Sequence, residues 1–259
     1  MQLRRVLFPA LVGALCLAAL SLQAADRPPL FQTSTLQALM GGVYDGDLTM
    51  QELARHGDFG LGTFDALDGE MIGLDGVFYQ IKADGRVYPT TGAMKTPFAE
   101  VTFFKPATTI TLPRSMTYKE LTDHITGVRP TANLPYALRV EGVFSAVKVR
   151  SVPRQQQPYP PLAEVAKQQE VFELTNVRGV IVGFWHPAFL AGVNLAGYHC
   201  HFITADRRAG GHLLDCRVEQ GSLALDPMAA FFLRLPQHQA FLQAELAGDY
   251  SRELEKVEK

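Results

Sequence analysis

Apolar and polar residues alternate along much of the chain, and this period of two residues is typical of β-strands. In the segment YALRVEGVFSAVKVRSVP, the apolar Leu138 and Val140 alternate with the charged Arg139. The run RGVIVGFW is almost continuously apolar, as in a strand that is buried on both faces. Further strands are expected in FAEVTFFK and TTITLP, and Asp84-Gly85 predicts a hairpin turn. We therefore expect much antiparallel sheet.

Helices are expected to be few and short. Two segments carry a capping box, in which a Thr is followed three positions later by a Glu: Thr49 with Glu52, and Thr117 with Glu120. A short helix is also expected after a cap at Ser34 or Thr35. Near the end of the chain, Pro236 is expected to open a helix in its first turn.

Many strands with few short helices predict an α/β protein of the α+β type, rich in mixed and antiparallel β-sheet. A Gln- and Pro-rich stretch at residues 155–175 is a candidate boundary between two domains. The chain contains no GxGxxG dinucleotide loop, no Walker loop and no GxSxG elbow. These motifs therefore assign no function.

The first 24 residues differ from the rest of the chain. Arg4 and Arg5 precede an apolar stretch that runs to about Leu22, and small residues follow at Ala24 and Ala25. This arrangement is typical of a secretory signal peptide, and a retained membrane anchor is the alternative. We expect cleavage near Ala24 and export to the periplasm or beyond, with no stable membrane insertion afterwards.

The charge balance argues against one class of partner. The 259-residue chain has 24 Lys and Arg against 26 Asp and Glu, a formal charge of -2. Removing residues 1–24 takes away two Arg, so the mature charge becomes (24 − 2) − 26 = -4. Nucleic-acid binding needs clustered basic residues, so a nucleic-acid partner is not expected.

Three of the seven histidines lie within the fourteen residues 199–212, in GYHCHF and GGH. On a strand, His199 and His201 share one face about 7 Å apart, so both imidazoles can converge on one ion. His212 follows Gly210-Gly211 on the predicted return strand. Three imidazoles with an open fourth position are typical of catalytic zinc, and other divalent transition metals also accept imidazole. The alternative is a chance pair on a strand, with His212 at the surface.

The same hairpin predicts the state of the cysteines that remain after cleavage, Cys200 and Cys216. In a regular hairpin, His212 joins the face of the other two histidines only when paired residue numbers sum to an odd number, for example 203 with 212. Cys216 then lies on the metal face and Cys200 on the opposite face. Both thiols are therefore expected to be free, unless a bulge at Gly210-Gly211 shifts the alternation.

Together with longer motifs, this histidine pattern resembles the α-acetolactate decarboxylase family. The resemblance covers roughly residues 33–258, and the following segments carry it: GGVYDGDLTMQEL, HGDFGLGTFDALDGEMIGLDGVFYQI, PFAEVTFFKP, LPYALRVEGVFSAVKVRSVP, NVRGVIVGFWHPAF, GYHCHFI and GGHLLDC. It implies two domains rich in mixed and antiparallel β-sheet, an N-terminal α/β domain (25–170) and a C-terminal β-rich, metal-binding domain (171–259). It also implies a homodimer.

The resemblance also implies roles for individual residues. His199, His201 and His212 match the family's zinc ligands, and Thr63 matches a residue near the substrate. Glu70, Arg150 and a glutamate of the C-terminal tail match the active-site residues. Spacing from the last histidine favours Glu258 as that glutamate, while Glu255 lies one helical turn earlier. Without the family match, the glutamates and Arg150 would be interpreted as ordinary surface charges.

The implied reaction is the loss of CO2 from the small molecule 2-acetolactate to give acetoin. The electron pair left behind delocalises onto the ketone as an enediolate, which a zinc ion stabilises as a Lewis acid. Arg150 can hold the carboxylate through its fixed fork of donors, and a glutamate can supply the proton. These groups need no organic cofactor.

Two alternatives come from other classes of function. An exported metal- or ligand-binding module on the same scaffold, without turnover, would explain the signal peptide. A cupin-like oxygenase also uses HxH on a strand, but its carboxylate ligand usually follows within a few residues. In this chain the nearby acid is Asp206, inside the predicted turn.

Overall fold

The computed structural model describes residues 27–248, so the predicted signal peptide and the tail glutamates Glu255 and Glu258 lie outside the described residues. The strands of the described residues are β1 (Leu30–Thr33), β2 (Leu48–Thr49), β3 (Phe59–Thr63), β4 (Glu70–Leu74), β5 (Val77–Ile81), β6 (Val87–Pro89), β7 (Lys95–Thr96), β8 (Ala99–Thr102), β9 (Thr108–Thr111), β10 (Met116–Thr117), β11 (Tyr136–Ser151), β12 (Glu170–His186), β13 (Gly197–Thr204), β14 (Gly210–Pro227) and β15 (Phe231–Arg234). The helices are α1 (Leu36–Met40), α2 (Met50–Leu53), α3 (Tyr118–Val128), α4 (Leu162–Val165) and α5 (Gln239–Leu242).

The predicted helix starts are confirmed at the capping residues. Thr49 and Thr117 each accept a hydrogen bond from the backbone of the Glu three residues later, and both capping boxes are complete. Thr35 caps α1 by accepting from the backbone of Ala38. The prediction for Pro236 is wrong. α5 begins three residues later, because the ring of His238 caps its first turn. Between residues 27 and 248, no helix is both long and apolar enough to cross a bilayer.

Two large sheets build the fold, which confirms the expectation of mixed and antiparallel strands. The first has the order β15-β1-β8-β3-β4-β5-β6, in which only the pair β1–β15 is parallel. The second has the order β10-β14-β11-β12-β13, with β9 on β14. β13 also pairs with the start of β14, so β11, β12, β13 and β14 close into a ring. A small two-stranded sheet, β2-β7, completes the set.

The two large sheets pack face to face over a shared apolar cluster. Leu61 and Ile72 from the first sheet meet Val182 and Phe184 from the second, all of them buried. The opposite face of the second sheet packs beneath α3, which contributes Leu121 and Ile125. The second sheet is therefore buried on both faces along the second half of β12, where the run from Gly179 to Phe184 is apolar and buried throughout.

The predicted domain boundary lies between two neighbouring strands of the second sheet. β11 and β12 are neighbours in one sheet along almost their whole length, from Tyr136–Trp185 to Ser151–Glu170. A boundary between residues 170 and 171 separates these two strands, although they share a hydrogen-bonded ladder. The Gln- and Pro-rich stretch, which includes α4, is the connection of this long hairpin. The composition indicated an irregular connection at this stretch. The strands on either side of it, β11 and β12, pair with each other in one sheet.

The hairpin of β13 and β14 has the predicted parity. His201 lies directly opposite His212, and these numbers sum to 413, which is odd. Both cysteines are free, as predicted. The predicted separation of the thiols is wrong, because a register shift after Leu213 leaves Leu214 without a partner on β11. This shift turns Cys216 into the same apolar cluster as Cys200.

Candidate metal centre and active site

Three imidazoles converge between the two sheets. His199 and His201 project from the same face of β13, and His212 lies opposite His201 on β14. One possible ligand atom from each ring lies within 4.8 Å of the others, and all three side chains are buried. Two glycines before His212 allow close strand approach: a Cβ on Gly210 would lie 2.4 Å from the carbonyl oxygen of Phe202, and a Cβ on Gly211 would lie 2.5 Å from that of Arg150. The backbone of Gly211 also has a φ of +149°, which favours glycine.

Burial sets the charge of these rings. It lowers the pKa of His199 to about 4, and it lowers the pKa values of His201 and His212 well below their ordinary value. The neighbouring Arg150 lowers all three pKa values further. The imidazoles are therefore neutral at pH 7, which is the form that binds a metal.

The hydrogen bonds around the rings fit a metal ion. His201 places Nδ1 2.8 Å from the carbonyl oxygen of Met71. Its buried Nε2 has no hydrogen-bond partner among the described residues. An orphaned nitrogen of this kind, in a cluster of neutral imidazoles, fits a divalent transition metal. The three histidines are thus a group that can hold such an ion.

Glu70 and Thr63 reach the centre from the first sheet. They are paired residues at adjacent ends of β3 and β4. Between them, Ala66, Leu67 and Gly69 all have positive φ angles of 58°, 56° and 83°. The hydroxyl of Thr63 donates to the carbonyl oxygen of Gly69 at 2.7 Å, which ties this tight turn together. Backbone strain concentrated at a turn that carries a site residue is typical of functional regions.

Arg150 comes from the second sheet, where it is paired with His212. One guanidinium nitrogen, Nη1, lies 3.6 Å from Oε1 of Glu70. The other carboxylate oxygen of Glu70, Oε2, lies 3.5 Å from Nε2 of His201. Glu70 is therefore placed between the cation and the histidine cluster, and both charged side chains are buried. Buried charges of opposite sign at this distance stabilise one another where water is excluded.

A small cavity lies over these groups. Its polar lining contains six of the seven predicted site residues, namely Thr63, Glu70, Arg150, His199, His201 and His212. Its apolar lining consists of Leu36, Leu39, Leu67, Phe98, Val152 and Leu162. The volume is about 40 Å³, and a single water needs roughly 10–15 Å³ on this measure. The cavity therefore holds space for a few water-sized groups between a charged wall and an apolar wall.

Sequence reasoning missed two features of this site. The apolar wall is contributed by short helices and turns, whose packing has no local signature. Glu100 on β8 was also missed, although its Oε1 lies 3.8 Å from Nδ1 of His199. The signal was a single acid within FAEVTFFK, flanked by Ala99 and Val101 in a strand whose four residues are all buried.

Comparison with known proteins agrees with the geometry. The family model described as "Alpha-acetolactate decarboxylase" matches residues 30–248. A relative with that name from Methanosarcina mazei is 51% identical over 230 residues, which covers 89% of this chain and 80% of the relative. A relative from Methylococcus capsulatus is 47% identical and covers 88% of both chains. The crystal structure of alpha-acetolactate decarboxylase from Bacillus subtilis strain 168 has a TM-score of 0.87 at 40% identity. It is matched over 89% of this chain and 99% of that chain.

Proposed function

We propose a mechanism from the premise that this chain belongs to the alpha-acetolactate decarboxylase family. The chain is an enzyme, and the names of its relatives support the decarboxylation of acetolactate as its reaction. Our proposal is that His199, His201 and His212 hold one Zn²⁺, that the product is acetoin, and that the reaction passes through an enediolate. The observation that carries the proposal is the set of three buried, neutral imidazoles beside Glu70 and Arg150.

The bound ion supplies a Lewis acid that stabilises negative charge on the substrate's oxygens. Breaking the bond to the carboxylate releases CO2 and leaves an electron pair on the former α-carbon. That pair delocalises onto the neighbouring ketone, and a proton must then be added to carbon to give acetoin. The chain's own residues therefore have to bind an anion, orient it, exclude water and deliver one proton.

Arg150 binds and orients the substrate's carboxylate in this proposal. Its planar donor fork matches a carboxylate, and its buried position limits competition from water. Glu70 delivers the proton, because its carboxyl group lies between Arg150 and the histidine cluster. Thr63 lines the substrate cavity beside Glu70. The apolar wall contacts the two methyl groups of acetolactate and keeps bulk water away.

We propose that a tail carboxylate completes the site, with Glu258 as first choice and Glu255 as the alternative. The family resemblance supports this proposal. Variants Glu258→Gln and Glu255→Gln, together with a chain that lacks residues 250–259, test it through CO2 and acetoin release. We expect the truncated chain and one of the two substitutions to lose activity. Full activity of the truncated chain would contradict a role for the tail.

We also propose that the enzyme is exported after cleavage near Ala24 and that it acts as a homodimer. The signal-peptide pattern of residues 1–24 supports export, and the family resemblance supports the dimer. Mass spectrometry of the periplasmic or secreted protein should show a chain that begins at Ala25. Light scattering during gel filtration should give twice the mass of one mature chain. Intact Met1 on cytoplasmic protein, or a monomer mass, would contradict these two proposals.

The central experiment combines metal analysis with a turnover assay. The purified protein should contain about one zinc per chain and should release CO2 and acetoin from 2-acetolactate. A chelator should abolish both, and added Zn²⁺ should restore them. Turnover that survives complete metal removal would overturn the zinc proposal.

The sequence alone left open an exported metal- or ligand-binding module without turnover. The predicted export favours it, because export separates the protein from substrates made in the cytoplasm. The buried arrangement of Glu70 beside Arg150 argues against it, since metal binding alone requires neither residue. Zinc binding without CO2 release would favour this second function.

A further inference from the structure

A second carboxylate, that of Glu100, lies beside the histidine cluster. Glu100 is on β8, with a side chain that is completely buried. Its Oε2 accepts a hydrogen bond from Nδ2 of Asn194 at 3.0 Å, and Nε2 of His186 lies 3.1 Å from the same oxygen. Both neighbours are also completely buried. A buried charge is tolerated only where fixed polar groups surround it, and this carboxylate has such groups on one oxygen.

The group that holds Glu100 is itself fixed. Asn194 donates to Oε1 of Gln32 at 2.8 Å and accepts from the backbone of Leu195 at 2.6 Å. Gln32 in turn donates to the carbonyl oxygens of Ser34 and Val193, at 2.8 and 2.9 Å. Both donors of each amide are therefore used, so neither amide can flip without losing bonds. This network ties β1 and β8 to the loop that precedes β13.

The remaining oxygen of Glu100 faces a metal ligand. Oε1 lies 3.8 Å from Nδ1 of His199, and neither atom has a hydrogen-bond partner among residues 27–248. One atom is an acceptor and the other can carry a proton, and both are buried. A hydrogen bond needs about 2.7–3.2 Å, so a ring movement of roughly 0.6 Å or more closes the gap. A buried donor and a buried acceptor that face each other in this way are complementary.

We propose that Glu100 is a positioning residue that fixes the tautomer and the ring orientation of His199. An imidazole that binds a metal through Nε2 carries its proton on Nδ1, and that proton needs an acceptor. Glu100 is that acceptor for His199, just as the carbonyl oxygen of Met71 lies against Nδ1 of His201. Asn194 acts through Glu100 by donating to its other oxygen, and His186 lies beside that same oxygen. This inference rests on the proposed zinc site.

Glu100→Gln tests whether the side chain must accept from Asn194 and from His199 at the same time. An amide has one acceptor oxygen and one donor nitrogen, whereas the carboxylate accepts on both sides. If the amide oxygen faces His199, the amide nitrogen opposes the donor of Asn194. If the amide nitrogen faces His199, the ring must accept on Nδ1, which places its proton on Nε2 and blocks the metal. Either orientation loses one contact with almost no change in side-chain volume.

The test measures zinc affinity rather than turnover alone. Zinc is titrated against a chromophoric chelator for the wild-type protein and for Glu100→Gln, and the rate of zinc loss to excess chelator is recorded. We expect the variant to bind zinc about 10–100-fold more weakly, the range found when partners of metal-binding histidines are removed. Asn194→Ser keeps the carboxylate but removes one group that holds it, so a smaller loss in the same direction is expected.

Asp226→Asn is the matched control. Asp226 is also completely buried, and it pairs with Arg27 and accepts from the backbone of Lys105. It lies near the far end of β14 from His212. Both Asp226→Asn and Glu100→Gln are expected to lower the melting temperature of the metal-free protein. Only Glu100→Gln is expected to change the zinc affinity.

A measurement on the unmodified protein covers the case in which Glu100→Gln does not fold. Nitrogen-15 NMR of the zinc-loaded wild type should show His199 with its proton on Nδ1 and with slow exchange of that proton. A proton on Nε2, or unchanged zinc affinity in folded Glu100→Gln, overturns the proposal. A wild-type protein that binds no zinc at these histidines overturns the proposed function instead.

Discussion

The two faces of β13 are equally buried and chemically opposite. His199 and His201 point toward the first sheet, into the candidate metal centre, whereas Cys200 and Phe202 point into the apolar cluster beneath α3. The apolar face needs only neighbours of suitable shape, so packing stabilises it directly. The histidine face needs a partner for each buried nitrogen. Burial alone therefore does not distinguish a structural residue from a site residue. The groups that each buried side chain contacts make that distinction.

Substitution at His201 gives the largest expected effect and changes only the histidine face. His201→Ala removes one of the three proposed metal ligands, and we expect activity to fall by at least about 10³-fold, which corresponds to about 4 kcal/mol. The loss of the bond to Met71 should cost about 1–3 kcal/mol of stability. Acetoin assays measure the activity, urea unfolding measures the stability, and zinc analysis should show a loss of bound metal. Full activity with one zinc per chain would remove His201 from the site.

Phe202→Ala is the reciprocal change on the neighbouring residue. Phe202 is completely buried and packs edge to face against Phe144, with ring centroids 5.1 Å apart. We expect a loss of about 3–5 kcal/mol in the free energy of unfolding, because a large cavity remains. The zinc content and the turnover of the folded fraction should stay near wild type. If the variant kept its stability but lost zinc, the assignment of stability to the apolar face and metal binding to the histidine face would be wrong.

Arg150→Lys tests the cation beside the histidine face. Lysine keeps the charge but loses the planar fork, so we expect kcat/KM to fall by about 10²-fold, or about 2.7 kcal/mol. Arg139→Lys is the matched control, on the same strand with ion pairs to the exposed Asp75 and Glu141. Exposed pairs contribute little, so this control should stay within about twofold of wild type. Equal effects of both variants would contradict the role of Arg150.

Acid should destabilise the metal-free protein through the histidine face. Burial holds the pKa of His199 at about 4 and depresses those of His201 and His212, whereas an unfolded histidine has a pKa near 6.5. The unfolded chain therefore binds more protons than the folded chain below pH 6.5. The contribution of these histidines to stability is fully present above that pH, and it falls as the pH drops toward 4. Each group contributes at most about 1.4 kcal/mol per pH unit.

Urea unfolding with a chelator present, at several pH values between 7 and 4.5, measures this slope. His201→Ala removes one titrating group and should show a shallower slope than wild type. Phe202→Ala should keep the wild-type slope at lower overall stability. Identical slopes for wild type and His201→Ala would contradict the assignment of the pH dependence to these rings.

The smallest expected effect concerns the thiols on the apolar face. Cys200 and Cys216 are free and buried, and burial raises the pKa of the Cys216 thiol. The thiolate is the reactive form, so neither residue should react with a thiol reagent in the folded protein. Both should react after denaturation, as colour development or mass shift will show. Rapid labelling of the native protein would place these thiols at the surface.

Local sequence signals predicted the parts of the fold that depend on neighbouring residues. The capping boxes at Thr49 and Thr117 located two helices, because a cap needs only residues within one turn. Strand alternation placed His199 and His201 on one face, and the hairpin placed His212 opposite. Pro236 shows the limit of this reasoning, since a competing cap at His238, two residues later, determined the start of α5.

The candidate site could be predicted only in part. The histidine cluster has a local spacing, and the family motifs pointed to Thr63, Glu70 and Arg150. Glu100 has no such spacing to the histidines. It lies 99 residues before His199 in the chain, and only the packing of the two sheets brings them together.

The sequence by itself determined the family, the short capped helices and the shared face of the histidine pair, because each follows from local periodicity or from long specific motifs. Tertiary structure alone decided where Glu100 meets His199, where the sheets divide, and on which face Cys216 lies. A single unpaired residue, Leu214, shifts the register of β14 against β11 by one residue at residues 215–217. The physical reason is that burial and partners are set by contacts between distant segments, and a one-residue shift in register exchanges the faces of a strand.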